Sequence, residues 1–451
     1  MKKIIVLSVL MLLLMGVNSF ATDTRVLTMG ENSTVLLDDA NIWLYPSRIN
    51  HYPNILTAEM SSIEYYYYPS KADWGGDQPI SKIGINWKFG GDKPWILGTY
   101  LHNNAVYMDE NNLLGTVTPS TSIIPWHGPY WYDSEGSYSN KRVDLFWGTM
   151  FGENAFGIHI GYVHSSNKND DTEPDDGIYL NERGFGKYDF QLGLTMMENK
   201  LDLAAGIELF SFTYKNTYYY TTPDTSMGNY DRYKPEGNST MFIRGRYFYE
   251  YSPTYTFVPH AEFKIGKYEY TSNLWSHAQD TDSLLYTDKY NLTSFDLGVG
   301  MQYTPATKVL AVIDVGFMYA GLKEEYTQEN VDPTETDEEK WNYTVLPYFK
   351  VGLEAEVFSW MDLRMGAISY WTMYKNEEDT YINDTLTVNT TYKEKYPYNH
   401  TYLGLGFHWN RLHVDTYVDP ELFMDGFYFL SGVDSKVAGM NFQISAKYDM
   451  F

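Results

Sequence analysis

Residues 294–319, SFDLGVGMQYTPATKVLAVIDVGFMY, decide the fold because apolar side chains alternate with small or polar ones on both sides of a central turn. The first half has its apolar side chains at Phe295, Leu297, Val299, Met301 and Tyr303. After residues 305–307 the second half has them at Ala311, Ile313, Val315, Phe317 and Tyr319. Successive side chains of a strand point to opposite faces. The stretch therefore predicts a hairpin with one apolar face and one face that carries glycines, Asp296 and Asp314.

The same alternation recurs along the chain, at residues 81–90, 156–164, 188–196, 256–266, 343–357 and 402–410. In residues 343–357 it places Tyr343, Val345 and Phe349 on the apolar face. Short connections are predicted near residues 90–93, 153–154, 199–200, 252–254, 305–307, 359–360 and 410–411. They alternate with long polar connections near residues 103–141, 165–184, 215–238, 271–292, 324–341, 375–399 and 419–437. Short turns at one end and long loops at the other are typical of outer-membrane barrels.

The connections also give the number of strands. The short turns join about 14 strands, and a first strand near residues 54–66 and a last one near residues 439–450 bring the total to about 16. We predict an all-β fold: a closed antiparallel transmembrane β-barrel of about 16 strands, or alternatively 14, with short periplasmic turns and long extracellular loops.

The side chains on the two faces distinguish this barrel from a soluble exported β-protein, which is the alternative. The apolar face is rich in Phe, Tyr, Trp and Met, and the whole chain has 43 Tyr and 17% aromatic residues. The opposite face is rich in Gly and in charges of both signs. A soluble sandwich would favour closely packing Val, Ile and Leu on its apolar faces, whereas lipid outside and an enclosed wet interior fit the observed pattern.

Overall composition excludes several classes of protein. A mean hydropathy of -0.41 is too low for a bundle of membrane-spanning helices. A net charge of -25 argues against binding of nucleic acid, which depends on neutralising phosphates with Lys and Arg. The chain has no Cys, which fits an oxidising compartment where thiols are a liability.

The start of the chain has the pattern of a signal peptide. Lys2 and Lys3 precede an apolar run at residues 4–17, and small residues follow at Ser19 and Ala21. A membrane-anchoring helix is the alternative, but the run is short for that role. We therefore predict a signal peptide at residues 1–21, an N-terminal hatch or periplasmic segment at residues 22–53, and the transmembrane β-barrel at residues 54–451. The expected location is the outer membrane.

Charged side chains on the inward face are the candidate lumen-lining residues. They are Lys82, Lys88, Asp144, Asp189, Asp202, Glu208, Arg244, Arg246, Glu262, Lys264, Asp296, Asp314, Lys350, Glu354, Glu356, Asp362, Arg364 and Asp415. They either set the ion preference of an open pore or pair with one another and with the hatch. Arg244 and Arg246 are the best candidates for binding an anionic group or for clamping hatch acids such as Asp38 and Asp39.

Two resemblances add to these predictions. The final Phe451 resembles the C-terminal residue of Gram-negative outer-membrane proteins, which the barrel assembly machinery recognises. Met29-Gly30, Asp39-Ala40 and Tyr45-Pro46-Ser47 resemble the hatch of the long-chain fatty acid transporter superfamily. That resemblance implies a hatch inside the lumen, containing Asp38, Asp39, Tyr45 and Pro46. It also implies 14 strands and a hydrophobic conduit, whereas the inward face here is ionic.

The function expected from these patterns is a porin-like outer-membrane channel for passive passage of small polar solutes through a charged lumen. The alternatives are a hydrophobic-compound transporter of the fatty acid transporter type, or a plugged barrel acting as a surface receptor, adhesin or secretion partner. We expect no enzymatic activity, no catalytic residues, no metal site and no cofactor, although the acidic loops could hold calcium. Expected partners are membrane lipid, lipopolysaccharide, the barrel assembly machinery, small solutes and further copies of the chain in a homo-oligomer, but no nucleic acid.

Overall fold

A computed structural model gives the structure of the protein. It describes residues 22–62, 80–91, 94–103, 139–173, 177–219, 229–235, 238–276, 284–306, 308–329, 335–382, 385–418 and 442–450. The predicted signal peptide therefore lies outside the described residues, as do Phe451 and most of the long connections predicted at residues 103–141 and 419–437.

Nearly all the regular structure is β. Three short helical segments come first: an α-helix at Asp23–Thr28 and 3₁₀ helices at Asp39–Trp43 and Pro46–His51. The strands are β1 (Ile55–Ser62), β2 (Ile80–Phe89), β3 (Trp95–Asn103), β4 (Ser139–Phe151), β5 (Asn154–Glu173), β6 (Gly177–Met196), β7 (Leu201–Tyr219), β8 (Asn229–Pro235), β9 (Asn238–Tyr247), β10 (Tyr249–Ser252), β11 (Tyr255–Ser276), β12 (Leu284–Ala306), β13 (Val309–Glu329), β14 (Glu335–Phe358), β15 (Met361–Ile382), β16 (Thr385–Trp409), β17 (Leu412–Val418) and β18 (Phe442–Asp449).

The strands form one closed antiparallel sheet. Segments β8, β9 and β10 follow one another along β11, and β7 pairs with both β8 and β9, so these three segments act as one barrel strand. The first strand pairs with the last, from Ile55–Asp449 to Ser62–Phe442, and this pairing closes the barrel. The result is a barrel of 16 strands. The predicted all-β closed antiparallel barrel is confirmed, and the alternative of 14 strands is wrong.

Several connections predicted to be long loops are instead extensions of strands. Strand β5 continues to Glu173, and β6 begins at Gly177, so most of residues 165–184 is paired. Likewise β13 pairs with β14 as far as Gln328–Glu335, and β15 pairs with β16 as far as Ile382–Thr385. Strands can carry polar residues on both faces once they leave an apolar environment, because cross-strand hydrogen bonds do not depend on the side chains. The polar composition of these segments therefore indicates that they contact water, and it does not indicate that they form loops.

The outward face of the barrel is apolar. Leu192, Ile243 and Val299 are more than half exposed, at 54%, 58% and 53%. They belong to a large set of exposed Leu, Ile, Val, Phe, Tyr and Trp side chains on neighbouring strands. An exposed apolar surface of this extent marks contact with a nonpolar partner or a membrane. The described residues contain no helix with the length and apolar character that a helical membrane crossing needs.

A β-bulge in β14 reverses the predicted facing of its first half. The pairing of β14 with β15 shifts between Val345 and Tyr348. On the C-terminal side of the shift, Phe349 faces outward as predicted. On the N-terminal side, Tyr343 and Val345 are buried inside the barrel, and Leu346 is exposed instead. A bulge inserts an extra residue into one strand, so the side chains beyond it change faces. The prediction that Tyr343 and Val345 face outward is wrong for this reason.

Residues 22–53, called the hatch below, lie inside the barrel. Ile42, Ile49 and Tyr52 of the hatch form one core cluster with wall residues Ile96, Tyr100 and Phe146. Met29, Val35 and Leu36 form another with Phe248, Val258 and Val312. The hydrophobic core of the protein therefore lies between hatch and wall, which places the hatch across the lumen rather than beside the barrel.

Candidate functional site in the barrel lumen

Arg246 on β9 is the main bridge between wall and hatch. Its Nε donates to Asp202 Oδ2 at 2.8 Å, and its Nη2 donates to Asn41 Oδ1 at 2.8 Å. Its Nη1 donates to three hatch carbonyl oxygens, those of Ser33 at 3.1 Å, Thr34 at 2.8 Å and Leu36 at 3.0 Å. Arg246 thus holds the hatch through three backbone carbonyls and Asn41, whereas the ion pairs described for Asp38 and Asp39 are with Arg25 and Lys447.

Asp202 on β7 also accepts hydrogen bonds from a second arginine, which belongs to the hatch. Arg48 Nε donates to both carboxylate oxygens of Asp202, at 2.8 and 2.9 Å. Thr195 donates to the same carboxylate at 2.7 Å, and its hydroxyl lies 2.8 Å from that of Ser47. One buried acid therefore joins a wall arginine to a hatch arginine. Buried charges need this degree of pairing, because an unpaired one costs several kcal/mol.

Arg25 anchors the other end of the hatch. Its Nε and Nη2 donate to the two oxygens of Glu354 at 2.6 and 2.8 Å, a bidentate pair. Glu354 also accepts from Arg364 at 2.6 Å. Arg364 reaches Asp415, which in turn accepts from the Thr22 hydroxyl at 2.8 Å. Lys82 similarly pairs with Asp23 of the hatch and with Glu59 of β1.

A third group of charges surrounds Asp144 on β4. Asp144 accepts from Arg142 Nε at 2.8 Å, and its carboxylate lies 2.7 Å from His159 Nε2. Arg142 also lies 3.3 Å from Asp189, which is 3.2 Å from Lys187. Lys187 completes the row by donating to Glu208 at 2.9 Å. Strands β4, β6 and β7 therefore carry a row of alternating acidic and basic side chains along the inner wall.

Trp43 of the hatch is inserted beside this row. Its ring meets Phe146 edge-on at 4.9 Å and Tyr100 edge-on at 5.1 Å between centroids. The cations of Lys82 and Arg142 lie 5.7 and 5.6 Å from its ring centroid. Edge-on aromatic contacts and cations near a tryptophan ring are both favourable. Trp43 is therefore an anchor that combines apolar burial with the lumen charges.

The remaining predicted lumen residues fall into smaller groups. Most make pairs inside the barrel: Arg244–Glu262 at 2.9 Å, Lys264–Glu262 at 3.7 Å, Asp314–His260 at 2.9 Å, Asp296–Tyr348 at 3.0 Å, Lys350 to the Glu31 carbonyl at 3.3 Å, and Asp362–His408 at 2.5 Å. Two lie near the short turns instead. Lys88 is exposed, and Glu356 pairs at 2.5 Å with the exposed Lys308, so these two do not line the enclosed part of the lumen.

The hatch residues singled out from the sequence hold the hatch in shape and in place. Asp38 caps the helix Asp39–Trp43 by accepting from Ala40 N at 3.0 Å, and it pairs with Arg25 at 3.2 Å. The Asp39 carboxylate lies 3.7 Å from Lys447 Nζ. The Arg246 guanidinium lies 4.5 Å above the Tyr45 ring. The role of Pro46 is to place its carbonyl against the wall at Gly157.

Burial shifts the pKa values of several hatch groups. It raises the pKa of the Asp38 carboxyl well above its usual range, and the neighbouring Asp39 adds to this effect. Burial also raises the pKa of Tyr45 to about 12. It lowers the pKa of His51 from 6.5 to about 4, with a further contribution from the positive charge of Arg48. The docked hatch therefore favours a neutral His51.

Glycines on the inner wall give the hatch backbone room. A Cβ at Gly366 would stand 2.2 Å from Gly30 N, and one at Gly352 would stand 2.5 Å from Met29 O. On the opposite side of the barrel, a Cβ at Gly193 would stand 2.7 Å from Ser47 N. Real side chains do not approach backbone atoms so closely. The glycine-rich inner face is thus explained by the hatch that it accommodates.

Sequence reasoning missed the basic residues that complete these groups. Arg142 and Lys187 each stand two positions from a predicted acid, Asp144 and Asp189, on the same face, so the period of two could have identified them. Arg25, Arg48 and Trp43 had no such signal, because the hatch lacks a strand period. The described residues contain no group of three or more His, Asp or Glu arranged to hold a metal ion.

Comparison with known proteins adds little to this geometry. No family model matches the sequence, and no curated protein matches it. Among solved structures, a mutant ferric enterobactin receptor of Pseudomonas aeruginosa is 10% identical with a TM-score of 0.30, over 87% of this chain and 80% of that one. The ferric yersiniabactin uptake receptor of Yersinia pestis is 8% identical with a TM-score of 0.34, over 88% and 80%. Similarity this low shows neither a family nor a ligand, and the fatty acid transporter resemblance gains no support.

Proposed function

We propose that the protein is an outer-membrane transport barrel for small solutes in which the hatch is the gate. The observation that carries this proposal is the attachment of the hatch on opposite sides of the lumen. Arg48 and Arg246 join it to β7 and β9, whereas Thr22 joins it to Asp415 on β17, half-way round the barrel from β7. A solute can pass only where this segment moves.

The apolar outer face supports the membrane location. Side chains such as Leu192 and Ile243 would be costly in water as a continuous band, but they are suited to acyl chains. The closed sheet also supports the membrane location, since a membrane-spanning sheet must leave no edge unpaired in lipid.

The lumen charges favour a gated barrel over the porin-like channel expected from the sequence. A passive pore needs charged side chains that face a continuous water path. Here the charged groups of Asp202, Glu354 and Arg246 contact the hatch instead. Hydrogen bonds to charged groups contribute roughly 1.5–3 kcal/mol each. Several together make spontaneous release of the hatch rare, so transport requires something that loosens these contacts.

A removable cross-link tests this proposal. The Ser47 and Thr195 hydroxyl oxygens are 2.8 Å apart, one on the hatch and one on β6, so Ser47→Cys with Thr195→Cys should form a disulfide. The natural chain has no Cys, so no other thiol competes. A matched control is Ser369→Cys with Asn399→Cys, whose side chains are 2.7 Å apart within the wall.

The assay measures the uptake of a small neutral sugar into liposomes that contain the full chain. Arg48→Ala removes a hatch anchor and should raise permeability over the unaltered protein. Adding the hatch cross-link to this variant should abolish the increase under oxidising conditions, and reduction should restore it. The wall cross-link should change nothing. Equal permeability with the hatch cross-link oxidised or reduced in this background would overturn the proposal, as would an Arg48→Ala variant no more permeable than the unaltered protein.

A further inference from the structure

Aromatic side chains mark two levels on the outer face of the barrel. At the level of the short turns, the Trp360 ring stacks on Phe358 at 5.4 Å and on Phe407 at 6.2 Å between centroids. At the second level, Trp371 of β15 is 56% exposed. Girdles of aromatic residues flank the apolar band of a membrane barrel at both interfaces with water, and that band is about 25 Å tall.

The spacing of Trp360 and Trp371 fits these two interfaces. They are 11 positions apart in the sequence. A strand rises about 3.4 Å per residue and tilts by about 35–45° from the barrel axis, so this separation spans about 26–31 Å along the axis. Between them, Leu363 and Met365 face outward and are 40% and 48% exposed. Trp371 therefore stands where the acyl chains of the lipid end and the headgroups begin.

Three lysines lie just beyond Trp371, and they are called the lysine triad below. Lys375 of β15 has Lys393 of β16 as its register partner, and Lys395 is two positions from Lys393. All three share the outward face with Trp371, because the alternate residue Tyr374 is buried inside the barrel. Directly opposite side chains of an antiparallel pair have Cβ atoms about 4.5–5.5 Å apart, and like charges there are destabilising. The fold therefore brings positive charges together at a cost to the barrel itself.

Carboxylates neutralise only part of this outer surface. On the neighbouring strand Lys340 lies 3.3 Å from Glu338, and within the triad Lys375 lies 2.6 Å from Glu377. The two triad lysines of β16 are exposed, and neither has an acidic partner among the residues that the structure describes. The triad therefore presents uncompensated positive charge to the headgroup region.

We propose that the lysine triad binds the phosphate group of a membrane lipid. Three ammonium groups on one face can donate to several oxygens of one phosphate, and such charge-assisted bonds are strong. The acyl chains of the same lipid would lie along the apolar face below Trp371, beside Leu363 and Met365. A free phosphate ion would lack these apolar contacts. Because the whole chain has a net charge of -25, this local excess of lysine is needed to hold an anionic lipid at the surface.

The test compares lipids that differ only in phosphate. Lipid A, a glycolipid that carries phosphate groups, and the same lipid dephosphorylated by a phosphatase are titrated by calorimetry into the folded full-length protein in a nonionic detergent. A lysine near an anionic lipid surface contributes about a fivefold gain in affinity. Lipid A should therefore bind about 25-fold or more tightly than the dephosphorylated lipid, and added salt should weaken its binding.

Two outcomes of this comparison would overturn the proposal. Equal affinity for the two lipids would show that the phosphate is not recognised. Binding of inorganic phosphate as tight as that of lipid A would show that the triad takes a free anion and not a lipid headgroup.

Double variants at the two ends of the barrel supply a matched control. Lys393→Gln with Lys395→Gln should weaken lipid A binding about 25-fold. Lys88→Gln with Lys308→Gln makes the same change in net charge at exposed lysines near the short turns and should leave the affinity unchanged. Equal losses in the two double variants would mean that lipid A senses only the overall charge of the protein.

Thermal unfolding separates lost binding from lost structure. Lys393→Gln relieves the repulsion with Lys375, so without lipid the Lys393→Gln, Lys395→Gln variant should unfold at the same temperature as the unaltered protein or higher. Lipid A should raise the unfolding temperature of the unaltered protein more than that of this variant, since a ligand stabilises the state that binds it. The mobility of unheated samples in SDS gels measures both. An equal rise in the two proteins would contradict the proposal, and neither measurement requires movement of the hatch.

Discussion

Gly157 on β5 lies directly against the carbonyl of Pro46, so that a Cβ on residue 157 would stand 2.2 Å from the Pro46 oxygen. The Pro46 carbon and Ser47 N lie almost as near, at 2.3 and 2.4 Å. Backbone atoms cannot swing aside as a flexible side chain can. The absence of a side chain at residue 157 is thus a condition for the hatch to reach the wall at this point.

Gly157→Ala should therefore displace the hatch without preventing the barrel from closing. Overpacking of this kind costs about 1–3 kcal/mol. The expected result is higher permeability of liposomes to a small sugar and faster proteolysis within residues 22–53. Gly91→Ala is the control, because a Cβ at residue 91 would meet nothing within 4 Å. Identical behaviour of the two variants would contradict this explanation of the inner-face glycines.

The two arginines of β9 should differ sharply in their importance for the hatch. Arg246→Ala leaves Asp202 with one arginine fewer and removes the donor from three hatch carbonyls, so it should weaken docking by about 3–5 kcal/mol. Arg244→Ala breaks a pair with Glu262, which is partly exposed and belongs to the wall, and should cost about 1 kcal/mol.

Trypsin measures this difference directly. It cleaves after arginine, and Arg48 in the hatch is 3% exposed in the docked state. Cleavage after Arg48 should be fast in Arg246→Ala and slow in both the unaltered protein and Arg244→Ala. Equal rates in the two variants would mean that Arg246 does not hold the hatch.

The alternation in residues such as 294–319 was enough to predict the closed barrel and the faces of most strands. Asp144, Asp314 and Arg364 point inward as the period of two required, and Leu297 and Val299 point outward. The period carries this information because each strand has only two faces. It fails where a bulge changes the phase, as it does at residues 346–347 for Tyr343 and Val345.

The partners of inward residues were beyond the reach of the sequence. Arg246 meets the carbonyl of Ser33, which is 213 positions away, through a segment that has no strand period of its own. A period assigns a face but not a neighbour, so acids and bases on the same face could be paired in many ways. Acidic stretches such as residues 376–382 were likewise predicted as loop, because polarity reports contact with water rather than backbone conformation.

The outer face gives a prediction about the membrane. Leu192 is 54% exposed on the outward face of β6, and Leu192→Arg should destabilise the barrel in a bilayer by about 2–4 kcal/mol if this position lies near the midplane. Met197→Arg, in the following short turn and 60% exposed, should cost about 0–1 kcal/mol. The folded fraction in lipid vesicles, read from the mobility of unheated samples in gels, measures both. Similar folded fractions would mean that Leu192 does not contact lipid.

Protonation of His51 should oppose docking of the hatch in acid. Burial lowers the pKa of this side chain in the docked hatch to about 4, whereas the released hatch keeps the ordinary value of 6.5. The stabilisation from a neutral His51 is therefore complete above pH 6.5 and is lost as the pH falls towards 4. Asp23 and Asp38 act in the opposite direction, since burial raises the pKa of each carboxyl and so favours docking in acid. His51→Gln isolates the histidine contribution, with the exposed His164→Gln as control. Channel openings in planar bilayers are counted at about pH 7 and about pH 4.5, and the ratio of the count at the lower pH to that at the higher pH should be larger in the His164→Gln variant than in the His51→Gln variant. The same pH profile in both would show that His51 does not sense the docked state.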